Sequence, residues 1–206
     1  MQSALLEAIQ EKTVTIGETS FKLDTRFLVL ATQNPVDQEG TYSLPEAQID
    51  RFMLKVKIDY PSKEEELEVM RRMSNMAFKP ELKTLLTKED IFSIRNEENQ
   101  VSISESLEKY IIELVFATKN PKSFGLKEEA YYMQFGASPK ANIKLNLASK
   151  AMPFMNQRDY VLPEDIKEVA KDVLNHRITL NYEAEADGIS TEHIIEKLLK
   201  KIPIKH

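Results

Sequence analysis

The run Phe27-Leu28-Val29-Leu30-Ala31-Thr32 is apolar without alternation and stops at Gln33-Asn34-Pro35. A strand that is apolar on both faces belongs inside a parallel sheet covered by helices on both sides, because only there do both faces leave water. Such a strand needs partners, and the sequence supplies few. Residues 13–24 read as a β-hairpin: Val14 and Ile16 alternate with Thr13 and Thr15, Gly17 to Ser20 carry turn chemistry, and Phe21 and Leu23 resume the alternation. Residues 52–58 alternate Leu54, Val56 and Ile58 with Lys55 and Lys57, which predicts a strand with one exposed face. Two strands and a hairpin make an incomplete parallel sheet, so the strands that would complete it are expected upstream.

Beyond Tyr60-Pro61 the apolar period becomes that of a helix, and no further strand is expected. Ser62 and Glu65 form a capping box opening a helix to about Asn75. Helices follow over 87–96 and 104–119, the second with Leu107, Tyr110, Ile111, Leu114 and Val115 on one stripe. Residues 120–136 read as a loop. Ser138-Pro139 places a capping residue before a first-turn proline, opening a helix to about Met155 that Pro153 kinks or ends. Ile166, Val169, Ala170, Val173 and Leu174 mark the next helix, and 191–201 the last. Leu5, Leu6 and Ile9 give residues 2–10 helical spacing as well. The expected architecture is an incomplete α/β piece over 1–75 followed by an all-helical piece over 76–206.

Composition narrows the functions open to such a chain. There is no cysteine, hence no disulfide framework and no thiolate metal site, which fits a reducing compartment, and the cytoplasm is the expected location. A formal net charge of −5 argues against nucleic-acid binding, which rests on clustered Lys and Arg. No apolar run approaches the roughly 20 residues that span a bilayer, so no membrane insertion is expected. The three histidines, His176, His193 and His206, are scattered, so no metal site is expected. His176-Arg177, near a helix C-terminus, reads as a complement to the helix dipole.

The stretch Ala31-Thr32-Gln33-Asn34-Pro35, followed by Leu44-Pro45-Glu46-Ala47-Gln48-Ile49-Asp50-Arg51-Phe52, closely resembles the MoxR family of AAA+ ATPases. Gln2-Ser3-Ala4-Leu5-Leu6-Glu7-Ala8, Gly136-Ala137-Ser138-Pro139 and Asn175-His176-Arg177 extend the resemblance across nearly the whole chain. It implies a partial AAA+ α/β core followed by an all-α lid domain. It also implies a parent protein that hydrolyses ATP with Mg²⁺, as a ring of identical subunits, commonly a hexamer, to remodel or mature client proteins that the sequence does not identify.

Three residues take roles from that resemblance. Asn34 looks like the sensor-1 residue, whose amide orients the attacking water or touches the γ-phosphate; an Asn before Pro35 also suits a plain turn. Arg51 resembles the arginine finger offered to a neighbouring subunit's γ-phosphate, the alternative being an ion pair with Asp50 or Glu46. Lys140 stands where the family usually carries the sensor-2 arginine. Lysine keeps the charge but loses the bidentate fork, and a solvated surface lysine is its rival. The hairpin falls where related proteins carry a pore-facing one.

The same sequence lacks what ATP binding requires. A phosphate-cradling loop reads G-x-x-x-x-G-K-[ST], yet the five glycines precede Glu18, Thr41, Leu126, Ala137 and Ile189. No acidic pair follows an apolar strand to hold magnesium. The chain alone is therefore expected neither to bind ATP tightly nor to hydrolyse it, and its unpaired apolar strand is expected to drive dimers or aggregates. A non-catalytic protein-interaction module and a magnesium-chelatase-like subunit are the alternative readings.

Overall fold

The computed structural model describes residues 12–24, 27–33, 45–74 and 83–204. Strands β1 (Thr13–Ile16) and β2 (Thr19–Lys22) form the expected antiparallel hairpin, Thr13 opposite Lys22 and Ile16 opposite Thr19. Gly17 sits at φ +64° in its turn, a left-handed conformation that glycine adopts without a Cβ penalty. The expected helix over 2–10 lies outside the described residues.

The other strands expected in the first part are not formed. Residues 27–33 carry no strand pairing, and Leu28 and Leu30 are 75% and 87% exposed. Residues 52–58 also lack a strand assignment, and Ile58 is 93% exposed. The physical reason is the one the apolar run implied: a strand forms only where a neighbour takes its backbone donors and acceptors, and among the described residues no neighbour does so. Among the described residues, the first part is thus an α/β stub whose only sheet is its hairpin.

Helix α1 (Glu46–Ile49) is a single turn. Helix α2 (Lys63–Met73) opens on the expected capping box, Glu65 N donating to Ser62 Oγ at 3.3 Å and Ser62 N donating to Glu65 Oε2 at 2.8 Å. Helix α3 (Lys88–Glu98) has a second box, Thr87 with Asp90. Helix α4 (Glu105–Lys119) is capped by Ser104 and buries its whole predicted stripe. The expected loop over 120–136 instead holds a 3₁₀ turn, Pro121–Phe124, helix α5 (Lys127–Tyr132) and strand β3 (Met133–Phe135). Helix α6 (Lys140–Met155) ends just past Pro153, and α7 (Pro163–Leu174) follows. Strand β4 (Thr179–Leu180) pairs antiparallel with β3, contrary to the expectation of no strand after Pro61. These strands are too short for an alternating pattern to register in sequence. Helices α8 (Tyr182–Ala186) and α9 (Thr191–Lys201) complete the chain's described elements.

Among the described residues, the buried apolar side chains all fall between Val101 and Ile202. Leu114 of α4, Leu145 of α6, Ile166 and Val173 of α7, and Ile194 and Ile195 of α9 are wholly enclosed. Each such side chain contributes roughly 1.5–3 kcal/mol on leaving water, so the helical part carries its own core and the stub leans on it. Arg158 fixes the entry to α7 by donating from both terminal nitrogens to Asp165, at 2.7 and 2.8 Å, while Asp165 accepts from Leu162 N at 2.6 Å. The Arg158 guanidinium holds the Asp165 carboxyl below the usual carboxylate range.

Candidate functional site

Among the described residues, the stub meets the helical part at a junction built around Asp50. Pro45 O accepts from Gln48 N and Ile49 N at 2.8 and 3.1 Å, winding α1. Arg51 N then donates to Gln48 O at 3.2 Å and Phe52 N to Ile49 O at 3.1 Å, so the chain turns tightly at Asp50-Arg51-Phe52. All three residues are half-buried.

From the helical side, Arg177 reaches this turn from just past the end of α7. Its side chain is only 1% exposed. Nε donates to Asp50 Oδ1 at 2.8 Å, Nη2 donates to the carbonyls of Asp50, at 3.1 Å, and Phe52, and Nη1 donates to Met53 O at 3.2 Å and to Val173 O. A planar guanidinium with several fixed donors suits this cluster of oxygens, where an ammonium would not. Burial pulls the Arg177 pKa down from its ordinary value and the Asp50 carboxylate pushes the other way. Removing one partner of such a pair leaves an unpaired buried charge, a loss of about 3–5 kcal/mol for a fully buried pair and less here, where Asp50 is 19% exposed.

The second carboxylate oxygen of Asp50 accepts from Ser138 Oγ at 3.0 Å. Ser138 is therefore not the side-chain cap its sequence suggested: the N-cap of α6 falls on Pro139, without a side-chain hydrogen bond. Gly136 explains how Ser138 gets there. A Cβ on Gly136 would lie 2.2 Å from Thr118 O, so only glycine lets this backbone press on the last turn of α4. Thr118 Oγ1 donates to Val115 O at 2.6 Å and accepts from Ala137 N at 2.9 Å, pinning the loop before α6.

His176 packs beside the same turn. Its Nε2 lies 2.7 Å from Arg177 Nη1 and 3.2 Å from Phe52 O, while Nδ1 is buried with no hydrogen-bond partner among the described residues. Burial, reinforced by the Arg177 charge, brings the His176 pKa down to about 4. The arginine always donates, so the ring accepts as a neutral imidazole. Beyond the turn, Lys55 N donates to Asp172 O at 2.9 Å and Lys57 pairs with Glu192, extending the junction along α7 to the start of α9.

Of the residues singled out from sequence, Asn34 lies outside the described residues. Arg51 sits in the turn itself. Lys140 is exposed at the first position of α6. The Asp50–Ser138 hydrogen bond joins the turn that carries Arg51 to the loop that leads into Lys140. Asp50 has its two carboxylate oxygens engaged by Arg177 and Ser138. Sequence reasoning missed Arg177, assigning it with His176 to the helix dipole. The Val173 contact is of that kind, but the other bonds hold the turn. The local signals were its place in Asn175-His176-Arg177 and an arginine inside the apolar context Val173-Leu174 and Ile178. Among the described residues no three His, Asp or Glu side chains gather as a metal site.

Comparison with known proteins puts this geometry in context. Residues 1–54 match the ATPase family associated with various cellular activities (AAA), and residues 127–198 match the AAA lid domain. Chaperone MoxR1 of Mycobacterium tuberculosis is 41% identical over 99% of this chain and 54% of its own length. YeaC of Bacillus subtilis is 39% identical over 99% of this chain and 62% of its own. A crystal structure of a Cytophaga hutchinsonii protein is 65% identical, with a TM-score of 0.93 over 100% of this chain and 62% of that one. The chain thus spans less than two thirds of the length of these relatives.

Proposed function

Since the chain belongs to the MoxR family of AAA+ ATPases, we propose that it carries the phosphate-sensing side of an ATP-hydrolysing ring subunit. In this reading residues 1–75 are the end of the α/β core and 76–206 the lid. Asn34 and Arg51 act on the γ-phosphate, Arg51 on that of a neighbouring copy, and Lys140 meets a phosphate from the lid. The whole protein works on client proteins, and the absence of cysteine fits a reducing compartment such as the cytoplasm. No helix among the described residues is long and apolar enough to cross a membrane.

The observation that carries the reading is the Asp50 junction. A single carboxylate is shared by Arg177 and Ser138, which ties the Arg51 turn to the loop ahead of Lys140. Each of the two cationic side chains near that tie suits a phosphate. An arginine fork matches the spread charge of a transferring phosphoryl group, and a lysine at a helix start adds its point charge to free backbone donors. The donor set fits phosphate and does not fit magnesium, because no acidic pair accompanies it. Bound ATP with Mg²⁺ supplies the phosphoryl group that passes to water. The loop and acid that cradle it would come from sequence not contained in these residues.

In the longer protein that includes a nucleotide-binding half, Arg51→Ala is expected to lower ATP turnover by about 10³-fold or more, with ATP affinity changed only a few-fold. Steady-state ATPase rates alongside fluorescent-nucleotide binding measure both. Unchanged turnover would mean that Arg51 is not the finger.

A further inference from the structure

The guanidinium of Arg177 has a geometry that simple adhesion between two parts of a chain does not require. Beside Val173 O and His176 Nε2 on its own segment, its acceptors are the Asp50 carboxylate and the carbonyls of Asp50, Phe52 and Met53, which bracket residue 51 on both sides. We propose that Arg177 is the positioning residue of Arg51, gripping the turn so that the Arg51 side chain is carried by the lid. This rests on the reading of Arg51 as the finger.

Three observations support it. The grip is buried, with the Arg177 side chain 1% exposed, so its hydrogen bonds do not compete with bulk water. It is specific in register, because a planar fork bonded to carbonyls on either side of one residue fixes which side chain projects from the turn, as an apolar contact or a flexible ammonium cannot. And the segment's other bonds point the same way. Beyond Arg177, the bonds that dock it run to the same end of the lid: Ser138 to Asp50, Lys55 N to Asp172 O and Lys57 to Glu192. A movement of the lid then moves Arg51 with it.

The test uses the whole ATPase, comparing Arg177→Lys with wild type and with Arg51→Ala. Two quantities are read: kcat and KM for ATP, and hydrogen exchange at the Lys55 amide, whose bond to Asp172 O reports docking of the turn, against the Leu114 amide in the lid core. For Arg177→Lys we expect kcat to fall about tenfold or more with KM for ATP within about twofold. The Lys55 amide is expected to exchange about tenfold faster while the Leu114 amide does not change. A purely structural role would not split kcat from KM in this way. Wild-type kcat in Arg177→Lys, with Arg51→Ala inactive, overturns the positioning role and leaves the finger reading standing. Full activity in Arg51→Ala removes the finger reading, and the positioning role with it. If Arg177→Lys loosens the Leu114 amide too, Asp50→Asn decides: reduced kcat with faster Lys55 exchange supports the grip, and wild-type values of both overturn it.

Discussion

Gly136 and Thr118 decide where a functional loop runs. The absent Cβ at Gly136 and the two hydrogen bonds of one threonine hydroxyl set the path of the chain into α6, and so where Ser138 meets Asp50. At the same junction His176 makes the fold sensitive to acid. Its folded pKa, about 4, lies below the ordinary value near 6.5, so the folded state resists protonation that the unfolded chain accepts. Its contribution to stability is therefore complete above about pH 6.5 and is lost progressively as pH falls toward 4. A proton on Nε2 would also set a second cation against Arg177. Denaturant unfolding from pH 7 to 4 is expected to show His176→Gln losing less stability over that range than wild type; equal losses would exclude His176 as the source. Arg51 and Lys140 were legible as residues because they sit in contiguous motifs. Arg177 also sits in one, Asn175-His176-Arg177, but its grip was not legible, because its partner Asp50 is 127 positions away and nothing local records that the two meet.

Among the elements, those whose stabilising contacts are local could be read directly. The Ser62–Glu65 box and the apolar stripe of α4 lie within one or a few helical turns, and each appears as expected. Elements that depend on distant pairing could not be read. Strands β3 and β4 exist through each other, and the apolar run 27–33 has the composition of a buried strand without the neighbours that would make it one. That run has a consequence at its own scale. Leu28 and Leu30 expose apolar side chains beside unpaired backbone groups, a template for pairing with another chain. The 206-residue chain is expected to associate as its concentration rises through the micromolar range, and Leu28→Lys with Leu30→Lys to weaken that association. Light scattering would contradict this if wild type stayed monomeric throughout.

Taken whole, the molecule divides its labour unevenly. The lid holds the buried core, and the stub, which has no enclosed apolar side chain among the described residues, holds the turn that carries Arg51. Asp50 and Arg177 join the two, so a residue on the stub is aimed by the lid. The alternation of strands followed by helical periods was enough to expect this division, whereas the tie between the parts needed three-dimensional structure. If the account is right, Arg51 serves a neighbour's nucleotide, and mixing tests that most directly. Whole subunits bearing Arg51→Ala, each with a sound pocket and no finger, are combined with subunits whose own phosphate-binding lysine is replaced but whose Arg51 is intact. The account predicts that the mixture hydrolyses ATP faster than the sum of the two inactive preparations. A mixture no faster than that sum, in rings shown to contain both subunits, would contradict it.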